Sequence, residues 1–169
     1  MDVEDKLKEI VPKVKQGDLE AFEMLYNLTY KYVYKIAYAI TLSKEDAEDI
    51  VQNTYLKIYE KRKMLDNGDT VLGYIKRITI NYALKNGKKQ PLKFIEKESK
   101  NNSDDIKEIV EDALKQLDAK DRSIVTLFYI DNMTTKEIAF LLNESEENIR
   151  VRLHRARNKL REVIENGKV

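Results

Sequence analysis

From Leu7 to Ile164 the apolar residues recur at steps of three and four, and little interrupts them. That period lays side chains along one flank of an α-helix; a half-buried strand would alternate at every second residue. The chain carries only five Gly and two Pro in 169 residues, so few positions force a helix to stop. A sequence of this kind is confined to all-α architectures, in which each helix buries one stripe against its neighbours. A 42% hydrophobic share supplies real cores, and the 36% charged residues leave the other faces strongly solvated. No stretch is long and apolar enough to suggest a membrane span, as the short run Ile36 to Ile40 illustrates. The acidic start MDVEDKLKEI does not read as a secretory signal. The chain is therefore expected to be a cytoplasmic protein of two small helical domains.

Local signals divide the chain into helices. Leu7, Ile10, Val11 and Val14 define a short one ending near Gly17, with Pro12 inside it. Asp18 is placed to cap a longer helix reaching about Ile40, with Phe22, Leu25, Val33, Ile36, Ala37 and Ile40 as its stripe. Ser43 to Asp46 has the form of a capping box and opens a helix burying Ala47, Ile50, Val51, Thr54 and Ile58. After the turn signal Asp66-Asn67-Gly68, Thr70 can cap a helix that buries Leu72, Ile75, Ile78 and Tyr82 and stops at Gly87. Residues 88–103, KKQPLKFIEKESKNNS, are polar and aperiodic and read as a flexible linker, with only Phe94 and Ile95 apolar enough to adhere to anything. Beyond it, Ile106, Ile109, Val110, Ala113, Leu114 and Leu117 begin a second helical domain. The expected organisation is a domain over 1–90, a linker over 91–103 and a domain over 104–169.

The net charge of +1 conceals an uneven distribution. Residues 1–60 carry a net −4, 61–97 a net +7, 98–147 a net −7 and 148–169 a net +5. Two separated basic blocks suggest two places that meet polyanions, although solvated helix faces also produce such runs. With no Cys and a single His, the chain lacks a thiolate nucleophile and a Cys-built metal site. It also lacks a glycine-rich phosphate loop. No enzyme activity, cofactor or metal is expected.

Three constellations stand out. Asp118 caps one helix, Thr134 to Glu137 forms a capping box for the next, and Asn143 and Ser145 make a tight turn before the last. That is the grammar of a helix-turn-helix. On the last helix Arg150, His154, Arg157 and Arg161 read as one outward face and Arg152, Arg155 and Lys159 as another. So arranged, a helix can enter a major groove with base edges in front and phosphates on its flanks. The second constellation is Arg77, Asn81, Lys85 and Lys88 at helical spacing, with Lys76 alongside and Tyr74 and Tyr82 able to stack on a base. The third is acidic: Glu45, Asp46, Glu48 and Asp49, followed by Gln52 and Asn53. Acidic residues in a first turn favour the helix dipole with no partner at all, yet the same row would suit a basic protein groove.

Three stretches together resemble region 2 of the small extracytoplasmic-function (ECF) sigma factors. They are Asp18-Leu-Glu-Ala-Phe-Glu-Met-Leu-Tyr26, Asp46-Ala-Glu-Asp-Ile-Val-Gln-Asn-Thr-Tyr-Leu-Lys-Ile-Tyr59 and Gly73-Tyr-Ile-Lys-Arg-Ile-Thr-Ile-Asn81. Lys136-Glu-Ile-Ala-Phe-Leu-Leu142 and Arg152-Leu-His-Arg-Ala-Arg157 resemble their region 4. The resemblance implies that Asp46, Asp49, Gln52 and Asn53 dock on core RNA polymerase. It implies that Met64–Thr70 captures a flipped base of the −10 element, with Lys76, Arg77, Asn81 and Lys88 along the strand. It also implies that Glu147, Asn148, Arg150, Val151, Arg152 and Arg155 read the −35 element of promoter DNA, and that an anti-sigma factor is a further partner. The chain departs from the family pattern with Tyr74 in place of Trp, Lys85 in place of Asp, Leu117-Asp118 in place of Leu-Pro, and Asn143 in place of Gly. A helix-turn-helix regulator acting without polymerase would explain residues 134–161 equally well, but would leave the other two constellations idle.

Overall fold

The computed structural model describes residues 2–66, 71–87 and 102–167, the side chains at 87, 102–106 and 167 excepted. Among the described residues there is no strand, and the chain divides into two compact units, Met1–Lys85 and Asn86–Val169.

The first unit contains α1 (Val3–Lys15), α2 (Leu19–Thr41), α3 (Lys44–Glu60), a short 3-10 turn (Arg62–Met64) and α4 (Val71–Gly87). Capping proceeds largely as the sequence indicates. Asp18 accepts the amide of Ala21 at 3.1 Å and Ser43 accepts that of Asp46 at 3.2 Å. Between α1 and α2 the chain reverses through Gly17 at φ +88, a conformation that costs glycine little. Between α2 and α3 it is Leu42 that takes a left-handed conformation, with φ 54. A leucine there carries a steric cost, offset here because its amide closes the helix onto the carbonyl of Tyr38. Pro12 sits exposed inside α1, on the opposite side from Leu7, Val11 and Val14.

The stripes expected on α1, α2 and α3 are buried, except that Phe22 is only half-buried. A set of interactions between α2 and α3 was not foreseen. Tyr26, Tyr30, Tyr34 and Tyr38 stand one turn apart along α2, with successive ring centroids 5.2, 6.2 and 6.2 Å apart. Tyr55 of α3 joins this row at 4.6 Å from Tyr26. Its hydroxyl lies 2.7 Å from Oγ1 of Thr29, whose own hydrogen goes to the carbonyl of Leu25 at 2.8 Å. The threonine hydroxyl has a single hydrogen to donate, so the phenol must be the donor. Period alone cannot anticipate such a bond, because it joins residues 26 apart in sequence.

α4 is more deeply enclosed than its stripe indicates. Leu72 and Tyr82 are half-buried, while Val71, Ile75, Ile78, Thr79, Ile80 and Ala83 are buried. Three consecutive buried residues on a helix span most of its circumference, so neighbours cover α4 on more than one side. The proposed cap Thr70 lies outside the described residues.

The second unit contains α5 (Asn102–Lys115), α6 (Ala119–Tyr129), α7 (Thr135–Leu142) and α8 (Glu146–Gly167), with α8 packed against each of the other three. Residues 102 and 103, expected in the linker, already belong to α5; the remainder of the linker lies outside the described residues. Ala113 and Leu117 are buried as expected, whereas Val110 is 43% exposed.

Burial pushes the Tyr55 phenol well above its ordinary value, so it stays neutral in the fold where the unfolded chain would ionise. Stability should then fall as pH rises past about 10, because only the unfolded state gives up this proton. Tyr55→Phe should cost about 1 kcal/mol at neutral pH through the lost hydrogen bond. It should also flatten the alkaline loss, and urea unfolding at neutral and alkaline pH measures both effects.

Candidate nucleic-acid interface

The helix-turn-helix is assembled by reciprocal caps. Thr134 Oγ1 accepts the amide of Glu137 at 3.2 Å, and the Glu137 carboxylate accepts the amide of Thr134 at 2.7 Å, completing the box. Asn143 ends α7 in a left-handed conformation with φ 54, and Ser145 Oγ accepts the amide of Asn148 at 3.1 Å to begin α8. The buried residues Ile149, Leu153 and Ala156 set the rotation of α8 about its axis. At 100° per residue, the positions opposite them are Glu147, Val151, His154, Arg155 and Asn158. All five are exposed.

This outward row amends the sequence expectation. Arg150, His154 and Arg161 are exposed as expected, but Arg157 is not part of the same surface. Its guanidinium lies 5.1 Å from the Phe128 ring and 5.6 Å from the Tyr129 ring, both at the end of α6. Its Nε is buried without a hydrogen-bond partner. Arg157 is a packing residue whose charge is spread over two aromatic faces. Helical spacing places it correctly near the flank, but nothing in the period reveals an aromatic pair across from it.

The six residues implied for duplex reading are likewise not equivalent. Glu147, Val151 and Arg155 are exposed. Arg150 is exposed and pairs with Glu146 at 2.7 Å, one turn back. Asn148 is half-buried and donates from Nδ2 to Glu144 at 2.6 Å. Arg152 is turned towards α6, where Nη1 lies 2.6 Å from Asp121 and 3.8 Å from Asp118.

In the first unit the basic row on α4 is present as a stripe. Gly73, Arg77, Asn81 and Lys85 are exposed at successive steps of four. Lys76 is half-buried with Nζ 5.6 Å from the Tyr32 ring of α2. Tyr74 and Tyr82 are half-buried against the core. Lys88 lies outside the described residues, as do 67–70 of the implied capture segment; of its beginning, Met64 is 74% exposed and Leu65 is buried. Arg62, just before it, lies over the Tyr59 ring at 4.4 Å and donates to the Tyr59 carbonyl at 2.9 Å. On α3, Asp49, Gln52 and Asn53 are exposed and Asp46 is half-buried. The same face ends in Leu56, which is 68% exposed and was not singled out in the sequence. Among the described residues no group of acidic or imidazole side chains could hold a metal ion, and no helix is long and apolar enough to cross a membrane.

Two family models match the chain in order. Sigma-70 region 2 matches residues 25–90 and Sigma-70 region 4 matches residues 107–160. The chain belongs to the ECF branch of the sigma-70 family. It is 23% identical to the ECF RNA polymerase sigma factor SigW of Bacillus subtilis over 184 aligned positions, covering 96% of this chain and 98% of that one. It is 27% identical to the RNA polymerase sigma-E factor of Streptomyces coelicolor, covering 88% of each. The fold is similar to that of CnrH, solved with the cytosolic domain of CnrY, with a TM-score of 0.73 at 20% identity over 95% of this chain and 98% of that one. It is also similar to the sigma factor RpoE of Bartonella quintana, solved with the anti-sigma factor NepR, with a TM-score of 0.66 at 19% identity over 85% and 96%. As an ECF sigma factor the chain is a non-catalytic subunit that directs RNA polymerase to promoters and starts transcription. α7 and most of α8 lie within the region 4 match, and α3 and all of α4 lie within the region 2 match.

Because Arg157 packs against the Phe128 and Tyr129 rings, Arg157→Ala should destabilise the second unit by about 1–3 kcal/mol, combining lost packing with a lost cation–π contact. Thermal unfolding checks this. Arg155→Ala, at an exposed position, should stay within about 0.5 kcal/mol of the parent.

Proposed function

We propose a division of the sigma factor's work between the two units. In the second unit the outward row of α8 reads the −35 element as duplex. Val151 meets apolar base edges, and Arg150 and Arg155 serve bases or phosphates beside it. Glu147 lies at the leading end of the row, next to the helix N-terminus. Asn148 and Arg152, assigned to the same task by family resemblance, contribute less directly because both are occupied within the fold. In the first unit, Arg77 and Asn81 of α4, with Lys76 and Lys88, follow the separated strand of the −10 element, and Met64–Thr70 receives a flipped base. Asp46, Asp49, Gln52 and Asn53 of α3 dock on core polymerase. The molecule acts in the cytoplasm, where promoter DNA and polymerase meet. CnrH and RpoE are each seen with a partner protein, which supports an anti-sigma factor as a further partner here.

The observation that carries this reading is the stripe on α4. Asn81 is exposed between Arg77 and Lys85 while the opposite side of the helix is buried. An exposed Asn adds little to stability, since surface substitutions generally shift it by less than about 0.5 kcal/mol. Amide hydrogen bonds to an unpaired base or sugar, flanked by cations that neutralise phosphates, give it a use. Asn81→Ala should leave closed-complex formation intact and lower the fraction of open complex, read by permanganate reactivity of thymines at the −10 element. Normal opening on a duplex promoter would remove Asn81 from the mechanism. Tight, specific duplex binding by the purified chain without polymerase would point instead to an ordinary regulator.

A further inference from the structure

The α6 N-terminus and the first turns of α8 are tied by two charged links. In one, Arg152 Nη1 reaches Asp121 at 2.6 Å and lies 3.8 Å from Asp118. In the other, Lys120 pairs with Glu144 in the turn, and the second carboxylate oxygen of Glu144 accepts from Asn148 Nδ2 at 2.6 Å. These residues are 31 and 24 apart in sequence, so the links are tertiary and not part of a helix's own surface pairing. They are also sheltered. The Arg152 and Asp121 side chains are 28% and 22% exposed, and Lys120 and Glu144 are 34% and 22% exposed. Contrast Arg150–Glu146, one turn apart on α8, where the arginine is 67% exposed.

The apolar contacts of Ile149, Leu153 and Ala156 fix the rotation of α8 but leave its tilt free, because apolar burial is not directional. Directional bonds at the entering end of the helix can fix that tilt. Asp118 already anchors α6 by accepting the amide of Asp121 at 2.7 Å, so the acceptors for Arg152 are themselves held.

We propose that Arg152 and Asp121, with Lys120 and Glu144, are positioning residues that set the angle at which α8 meets the −35 duplex. Arg152 thus acts through α8 and not by a DNA contact of its own. The proposal rests on the assignment of α8 to duplex reading. It makes a distinctive claim about an acidic residue: Asp121 supports binding to a polyanion. By long-range electrostatics alone, removing a carboxylate beside DNA should strengthen binding.

The test uses the full chain assembled with core polymerase, and the readout is the ratio of affinities for a promoter with an intact and with a scrambled −35 element. Asp121→Asn, which keeps the shape, and Arg152→Ala should each lower that ratio by about five-fold or more, and the double variant no further than either alone. The exchange Asp121→Arg with Arg152→Asp should recover most of the ratio, since the link is remade in reverse. The slope of affinity against salt should be unchanged in Arg152→Ala, whereas losing a phosphate contact would lower it by about one unit. If Asp121→Asn leaves the ratio unchanged or raises it while Arg152→Ala lowers it and the salt slope, Arg152 touches DNA directly and the proposal is overturned. Failure of the exchange to recover anything, with helix content and melting intact, overturns it equally. Val151→Asp combined with Arg155→Ala is the separate control: a ratio unchanged when both outward side chains are replaced means that α8 does not read the −35 element.

Discussion

Burial of Ile149, Leu153 and Ala156 fixes the rotation of α8, and from that one constraint follows which side chains can reach a ligand. A helix turns 100° per residue, so three buried positions determine the whole circumference. Glu147, Val151, His154, Arg155 and Asn158 have to point away, whatever their chemistry. The same logic holds in the first unit, where Ile75, Ile78 and Thr79 are buried and Arg77, Asn81 and Lys85 are left in solvent. In both units the apolar residues decide the geometry of the polar ones. Charge then determines what each surface meets, which explains how a nearly neutral chain carries two basic faces separated by acidic ones.

Polar side chains at helix ends supply the second level of order. Asp18, Ser43, Asp118, Thr134 and Ser145 each accept an amide that would otherwise lack a partner. These caps start the helices at set residues, and Ser145, with Asn143 ending α7, sets the length of the turn between α7 and α8. With Asn143 in a left-handed conformation the turn is short enough to keep α7 packed against the helix it presents.

Much of this was legible in the sequence. The helix boundaries fell close to the capping residues, because caps and period are local properties read within a few positions. The stripes on α1, α2 and α3 were nearly complete for the same reason. Local period and caps carry no information about partners that lie far away in sequence. Arg152 and Arg157 look like their arginine neighbours on α8, yet one is held by Asp121 and the other by Phe128 and Tyr129. Tyr55 stands outside the stripe expected on α3, and only the fold brings Thr29 to its hydroxyl. On α4 the expected residues all lie in or against the core, but a helix enclosed on several sides has no single stripe, so period alone does not point to Thr79 and Ile80. A cue for the arginines did exist in the sequence, in the acidic start and aromatic end of α6.

The central claim is that one unit meets duplex at the −35 element while the other meets the opened strand at the −10 element. The chain has no Cys, so one introduced thiol is a unique attachment point for an iron chelate that cleaves nearby DNA. Asn158→Cys on α8 and Lys85→Cys on α4 are both at exposed positions. In open complexes with core polymerase, the chelate at 158 should cut both strands around the −35 element, and the chelate at 85 should cut around the −10 element. Cutting of the same DNA segment from both positions, or around the −10 element from 158, would contradict the assignment of the two units.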